Sequence, residues 1–204
     1  SLMKAKYIRI LFTLLFFCFG GEIVSSQLSA HEYAERTHND IIFIIKTKNN
    51  LYQENPELFT KEISDAFSPI VDFKRIARNV MGKYIQQASK DQIDSFSKAF
   101  EKSLLDTYSS TLVEFKDEKI NVIKPTMAPK NKDKARVNIE IVTSSNVYPG
   151  RYSMYRDKRG DWKIINIEIN GMNLGKIFRN QFYSLVEKNN GDIDLVIEKW
   201  AVSV

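Results

Sequence analysis

Apolar and polar positions along this chain change their period twice. They recur every three to four residues, then alternate strictly, then return to the wider spacing. Between Glu32 and Asn50 the residues Tyr33, Ala34, Ile41, Ile42, Ile44 and Ile45 suit a helix, although the run IIFII at 41–45 equally suits a buried strand; we read a helix. Pro56, at a first-turn position, opens PELFTKEISDAF, with Leu58, Ile63, Ala66 and Phe67 on one side. Pro69 breaks that pattern. It resumes with Phe73, Ile76, Ala77, Val80, Met81 and Tyr84, interrupted at Gly82. Ser89 and Gln92 form a capping box, so a long helix begins there and carries a stripe of Ile93, Phe96, Phe100, Leu104, Tyr108 and Leu112.

The next third alternates. Strands are predicted at 120–124, 135–144, 150–157 and 161–170, with Val137, Ile139 and Ile141 facing one way and Asn138 and Glu140 the other. DKRGD at 157–161 is a hairpin turn and PKNKDK at 129–134 a solvated loop. The last strand changes phase: Trp162 and Ile164 share one face, Ile165, Ile167 and Ile169 the other. Either both faces are covered or a bulge near 164–165 realigns them. Helices at 173–189 and 192–202 follow, with Gly191 as a C-terminal cap and Asp192 as an N-cap. The expected fold is α+β, a curved antiparallel sheet wrapped by helices.

Composition adjusts this picture at the N-terminus. With 204 residues and 43% hydrophobic content, one substantial core and one domain are expected. Ser1 and Leu2 look like a cloning scar. Met3 then opens a signal-peptide layout, Lys4, Lys6 and Arg9 before an apolar run from Ile10 to Phe19, too short to span a bilayer. Residues 1–30 are read as scar plus cleavable leader and 31–204 as the single mature domain. Cleavage after Ser26 or after Ala30 would each leave a small residue at the last position. Cys18, the only cysteine, would leave with the leader; Phe17 before it argues against a lipoprotein. Losing Lys4, Lys6, Arg9 and Glu22 lowers the formal charge from +5 to +3, a mildly basic exported protein for which no nucleic-acid partner is expected.

Candidate chemistry is sparse. His31 and His38, seven apart, do not make an i, i+4 ligand pair, and both are expected as solvated surface residues. Nucleophile-elbow, zincin, P-loop and dinucleotide motifs are absent, so neither metal nor cofactor is expected. Asp72 is either the N-cap of the helix that follows or an acid–base group. Tyr84, Tyr108, Tyr152 and Tyr155 suit a core with hydrogen-bonded hydroxyls, or the polar lip of a pocket.

Two stretches carry a resemblance. In SPIVDFKRIARNVMGKYIQQASKDQIDSFSKAFEKSLLDTY, the residues Asp72, Phe73, Ile76, Met81, Gly82, Tyr84, Gln92, Phe96, Phe100, Leu104 and Tyr108 fall in order on a pattern of the MlaC family of periplasmic phospholipid-binding, toluene-tolerance proteins. In YSMYRDKRGDWKIINIEINGMNLGKIFRNQF, Tyr155, Trp162, Asn166, Gly171, Asn173, Leu174, Arg179, Gln181 and Phe182 continue it, with Asn166 where the family usually has Asp and Asn173 where it usually has Ser. The likeness spans roughly residues 32–200. It implies a nuclear-transport-factor-two-like fold around a deep apolar cavity. It also implies a monomeric carrier that moves phospholipid between an outer-membrane lipoprotein–porin complex and an inner-membrane ABC transporter with an MCE-domain subunit, without catalysis.

On that reading one wall of the cavity is the corner at 167–182, with Ile167, Ile169, Met172, Leu174, Ile177, Phe178 and Phe182. Another is Val80, Met81 and Tyr84 with the helix face Phe96, Phe100, Leu104 and Tyr108; Met154 adds to the sheet side. Moving two acyl chains of about thirty methylenes into water would cost on the order of 20 kcal/mol at ~0.8 kcal/mol each, so a carrier must replace the bilayer. Rival readings are an exported enzyme using Asp72 or a tyrosine in a conical pocket, a carrier of another lipid such as a hopanoid, and a module whose apolar faces are filled core. A basic face, drawn from Lys83, Lys90, Arg151, Lys176 and Arg179, is expected to meet anionic lipid or an acidic partner, with a structural bond from Arg179 as its alternative role.

Overall fold

In the computed structural model, residues 28–114 and 118–201 are described. Residues 1–27 of the expected leader, with the apolar run at 10–19 and its Cys18, lie outside them. The described residues form six α-helices and a five-stranded antiparallel sheet in the order β1-β2-β3-β4-β5. Helix α1 (Ala30–Glu54) settles the IIFII ambiguity for helix and breaks locally at Lys48, whose φ and ψ are −120° and 19°. Ser29 caps it reciprocally: its hydroxyl accepts from the Glu32 N–H at 3.2 Å, and the Glu32 carboxylate accepts from the Ser29 N–H at 3.3 Å. Ser29→Ala should therefore destabilise by about 1 kcal/mol, read as a lower urea midpoint with the slope unchanged; an unshifted midpoint would refute the cap.

Asn55 ends α1 and starts α2 (Pro56–Phe67), its side chain accepting from the Leu58 N–H. Asp72 caps α3 (Phe73–Met81), after which a 3-10 turn runs from Gly82 to Gln87. The Ser89/Gln92 box is present, with hydrogen bonds of 2.9 and 3.1 Å, and α4 runs Lys90–Glu114. Strands β1 (Lys119–Val122), β2 (Lys134–Val142), β3 (Val147–Arg156) and β4 (Trp162–Ile169) follow; β3 starts three residues earlier than expected. A tight turn at Asn170 and Gly171, both with positive φ (49° and 80°), leads into the short β5 (Met172–Asn173), which the pattern did not reveal. Helices α5 (Leu174–Lys188) and α6 (Ile193–Lys199) close the chain.

The phase change in β4 is a bulge. Ser153 pairs with Asn166 but Met154 with Ile164, so Ile165 is the extra residue and the strand re-phases around it. Ile164 then lies opposite the buried Met154 and Ile167 opposite the buried Tyr152, on one face. The apolar core falls into three clusters: a helical one joining α3, α4, α5 and α6, one between α1 and the sheet, and a smaller one among α1, α2 and α4.

Candidate functional site

Cross-strand partners share a face, so the register defines the inner surface of the sheet row by row. One row is Ile120, Ile141 and Tyr148; the next is Val122, Ile139, Gly150, Ile169 and Met172; the third is Val137, Tyr152 and Ile167; the fourth is Ala135, Met154 and Ile164. The third and fourth rows are buried beneath Ala30 and Ala34 of α1 and Ile70. Toward the other end the cover thins: Ile141 and Ile169 are half-buried, and Tyr148 and Met172 are exposed. An apolar surface made for burial thus continues past the helix that buries it.

Gly150 sits in the middle of that surface. A Cβ there would stand 2.8 Å from Ile139 Cγ1, so the glycine lets the isoleucine lie across the strand. Helix α4 packs on α1, α2, α3 and α6 and, through Phe96 and Phe100, on α5, whereas α1 packs on β1 and β2, and α3 and α5 on β4. The half-buried Leu104, Tyr108 and Leu174 fringe the helical cluster. We take the incompletely covered parts of the first two rows, with this half-buried fringe, as the candidate site. Its residues Ile139, Ile141 and Gly150 were absent from the sequence-based lining, although Ile139 and Ile141 belong to the same alternating strand pattern.

The fifteen sequence-predicted lining residues are not one wall. Val80, Met81, Phe96, Phe100, Phe178 and Phe182 are buried against each other, with Phe96 edge-on to Phe182 at 4.9 Å between ring centroids and Phe100 edge-on to Phe178 at 5.3 Å. Tyr84, Leu104, Tyr108 and Leu174 surround that cluster. Met154 and Ile167 belong to the sheet cluster, and Ile169 lies farther along the same face. Met172 is 47% exposed, and Ile177 borders an outer hollow of about 550 Å³ with Asn180, Gln181, Ser184 and Lys188. A second outer hollow of about 460 Å³, between α2 and α4, is lined by charged residues including Glu57, Lys61, Lys98 and Asp106, an unsuitable bed for acyl chains.

The corner that turns β4 into α5 is pinned by amides. Asn173 caps α5, its Oδ1 accepting from the Lys176 N–H at 3.1 Å and from Asn166 Nδ2 at 2.9 Å, while Asn166 Oδ1 accepts from the Gly175 N–H at 3.0 Å. A Cβ on Gly175 would meet Asn166 Oδ1 at 2.7 Å. The two departures from the family pattern are therefore a mutually bonded pair that sets how α5 leaves the sheet.

His38 is the clear correction. Expected at the surface, it is only 7% exposed, and its Nε2 lies 2.7 Å from the Tyr152 hydroxyl at the centre of the sheet. Its Nδ1 is buried without a partner. Burial lowers its pKa to about 4 and pushes the Tyr152 phenol well above its ordinary value. His31, half-buried, is lowered in the same direction by burial. Asp72 takes its structural role: one oxygen accepts from the Arg75 N–H at 2.9 Å and the other from the Tyr155 hydroxyl. That contact and burial raise the Tyr155 pKa, burial contributing most. Arg151 is paired with Glu168 at 2.6 Å, and Arg179 Nε donates to the Asn79 carbonyl at 2.8 Å, bonding to a helix where the sheet had been considered. Among the described residues no group of three His, Cys, Asp or Glu could hold a metal, and no helix is long and apolar enough to cross a membrane.

Residues 35–202 match the family model described as MlaC protein. The chain belongs to the MlaC family. It is 31% identical over 176 residues to the toluene tolerance protein ttg2D of Pseudomonas putida, covering 85% of this chain and 80% of that protein. Its fold is similar, with a TM-score of 0.74 at 22% identity, to a solved structure of a phospholipid-binding protein from Ralstonia solanacearum in complex with a phospholipid, over 84% of this chain and 96% of that one. The helices and open antiparallel sheet expected from the MlaC resemblance are thus present in both.

Proposed function

We propose that this chain is a periplasmic carrier that holds phospholipid acyl chains between α4 and the inner face of the sheet. It shuttles them between an outer-membrane lipoprotein–porin complex and an inner-membrane ABC transporter with an MCE-domain subunit, and so helps to maintain lipid asymmetry. The observation that carries this reading is the incompletely covered continuation of the apolar rows, in which Ile141 and Ile169 are half-buried and Tyr148 and Met172 exposed. Acyl chains would replace the missing cover, and the head group would stay in water at the exposed end. Family membership and the phospholipid in the similar Ralstonia structure support it. The chain acts as a monomer and without catalysis: Asp72, the carboxylate weighed for acid–base chemistry, serves a helix cap and a tyrosine.

Cleavage of the leader after Ser26 fits this domain better than cleavage after Ala30, which would remove the Ser29 cap and the buried Ala30. Native mass spectrometry of the exported protein, purified without detergent, tests the carrier reading and reads the new N-terminus together. The expected result is about one phospholipid per chain. Protein without lipid, and gaining none from phospholipid vesicles, would overturn it; a bound hopanoid mass would correct the cargo. Ile169→Asp places a carboxylate on the half-buried part of the surface and should reduce lipid retention at least about tenfold with the fold intact by circular dichroism, since an unpaired charge against acyl chains costs more than 1.4 kcal/mol. Undiminished lipid in that variant would remove Ile169 from the site.

A further inference from the structure

Helix α3, the 3-10 turn and the first half of α5 together carry Lys74, Arg75, Arg78, Lys83, Lys176 and Arg179 and no carboxylate. Lys74 is neutralised by Asp94 at 2.8 Å. Arg75, Lys83 and Arg179 are held in place by uncharged groups. The Arg75 guanidinium lies 4.1 Å from the centroid of the Tyr155 ring, beside the Asp72 that caps its helix. Arg179 is anchored through Nε to the Asn79 carbonyl, which leaves its terminal amino groups with no carboxylate among the described residues. Arg78 is exposed, one turn from Arg75 on the same face of α3.

Lys83 is fixed by an arrangement that requires a glycine. Gly82 has φ +51°, and a Cβ on it would fall 2.1 Å from the Tyr183 hydroxyl. Without a Cβ, that hydroxyl comes close enough to accept from the Lys83 N–H at 2.9 Å. The Lys83 ammonium then sits 5.1 and 5.0 Å from the centroids of Tyr84 and Tyr183, held by their π faces. The Arg179–Asn79 and Lys83–Tyr183 bonds join the three elements into one basic surface on which Arg75, Lys83 and Arg179 are fixed in position.

We propose that this surface docks the carboxylate-rich face of a folded protein partner. Planar guanidinium groups held in position match carboxylates with little further loss of side-chain freedom. A bilayer surface is the poorer fit: the large apolar side chains exposed among the described residues, Phe43, Leu58, Ile123, Met127, Val147, Tyr148 and Met172, include none on α3 or the 3-10 turn to insert beside the charges. Arg75, Arg78 and Lys83 are not among the residues of the candidate lipid site, so docking and lipid content can fail independently.

The test uses the full mature protein and the variant Arg75→Glu/Arg78→Glu/Lys83→Glu. Each is passed over the soluble part of the MCE-domain subunit, over the purified lipoprotein–porin complex, and over vesicles with and without anionic phospholipid, at low and physiological salt. The expected result is an association rate with at least one protein partner lowered tenfold or more by charge reversal, with a smaller difference at higher salt. Lipid content and melting temperature should match the parent. Equal binding of parent and variant to both protein partners, or no binding of the parent to either, overturns the proposal. A loss confined to anionic vesicles overturns it in favour of lipid head groups. Lys83→Gln, which keeps the side chain without its charge, should give a smaller loss of the same sign; no change would remove Lys83 from the surface.

Discussion

Phe182→Ala is expected to lower stability by about 3–5 kcal/mol, a large share of the 5–15 kcal/mol that holds a domain folded. Phe182 is fully buried on α5 and meets rings from three other elements: Phe96 of α4 at 4.9 Å, Trp200 beyond α6 at 6.2 Å and Tyr84 of the 3-10 turn at 6.3 Å. Removing it deletes the edge-on contact with Phe96 and leaves a cavity that rigid helices on all sides cannot close. Urea unfolding followed by circular dichroism gives the measure. A loss below about 1 kcal/mol would mean that the rings are loosely held and that this cluster adapts to a ligand, in place of the filled core described above. Ile169→Asp serves as the contrast, since it should change lipid retention far more than stability.

Stability should also fall on mild acidification, and His38 should cause much of the fall. Its folded pKa of about 4 lies below the ordinary 6.5, so between those values the unfolded chain binds a proton that the folded chain does not. Stability contributed by the neutral imidazole is complete above about pH 6.5 and is lost as pH drops toward 4. The slope approaches about 1.4 kcal/mol per pH unit and the total is on the order of 3 kcal/mol. The geometry explains why the proton is refused: Nε2 is occupied by the Tyr152 hydroxyl, Nδ1 has no partner, and burial alone shifts the group. His31 adds a contribution of the same sign. His38→Gln, which can still reach a hydroxyl but does not titrate, isolates the larger share. Unfolding midpoints of parent and variant should run parallel from pH 7 to 8 and converge or cross by pH 5. Equal pH slopes between 7 and 5 would show that His38 is not kept neutral by the fold.

What the sequence determined by itself is mostly local. Helix starts at Asp72, Ser89 and Asp192 depend on bonds to backbone N–H groups three residues away, and such bonds are visible wherever the residue types and the spacing are visible. The alternation of Val137, Ile139 and Ile141 determined the inner face of β2, and the ordered motif through 72–108 and 155–182 carried the family.

The tertiary structure decided which apolar residues are core and which are left partly uncovered, because that depends on what lies opposite. Phe96 and Phe182 were assigned to the cavity on the family resemblance, yet each fills space left by the other. Ile139 is buried in the cluster beneath α1 while Ile141, on the same face of the same strand, is only half-buried, because α1 covers only part of the sheet. The bulge at Ile165 chose between two readings of β4 by its pairing with β3, a choice that no alternation within one strand can make. His38 looked like a surface residue because its partner Tyr152 is 114 residues away, and only the packing of α1 across the sheet removes it from water. Capping is set by neighbours in sequence, whereas burial and pKa are set by neighbours in space, and those exist only after the chain has folded.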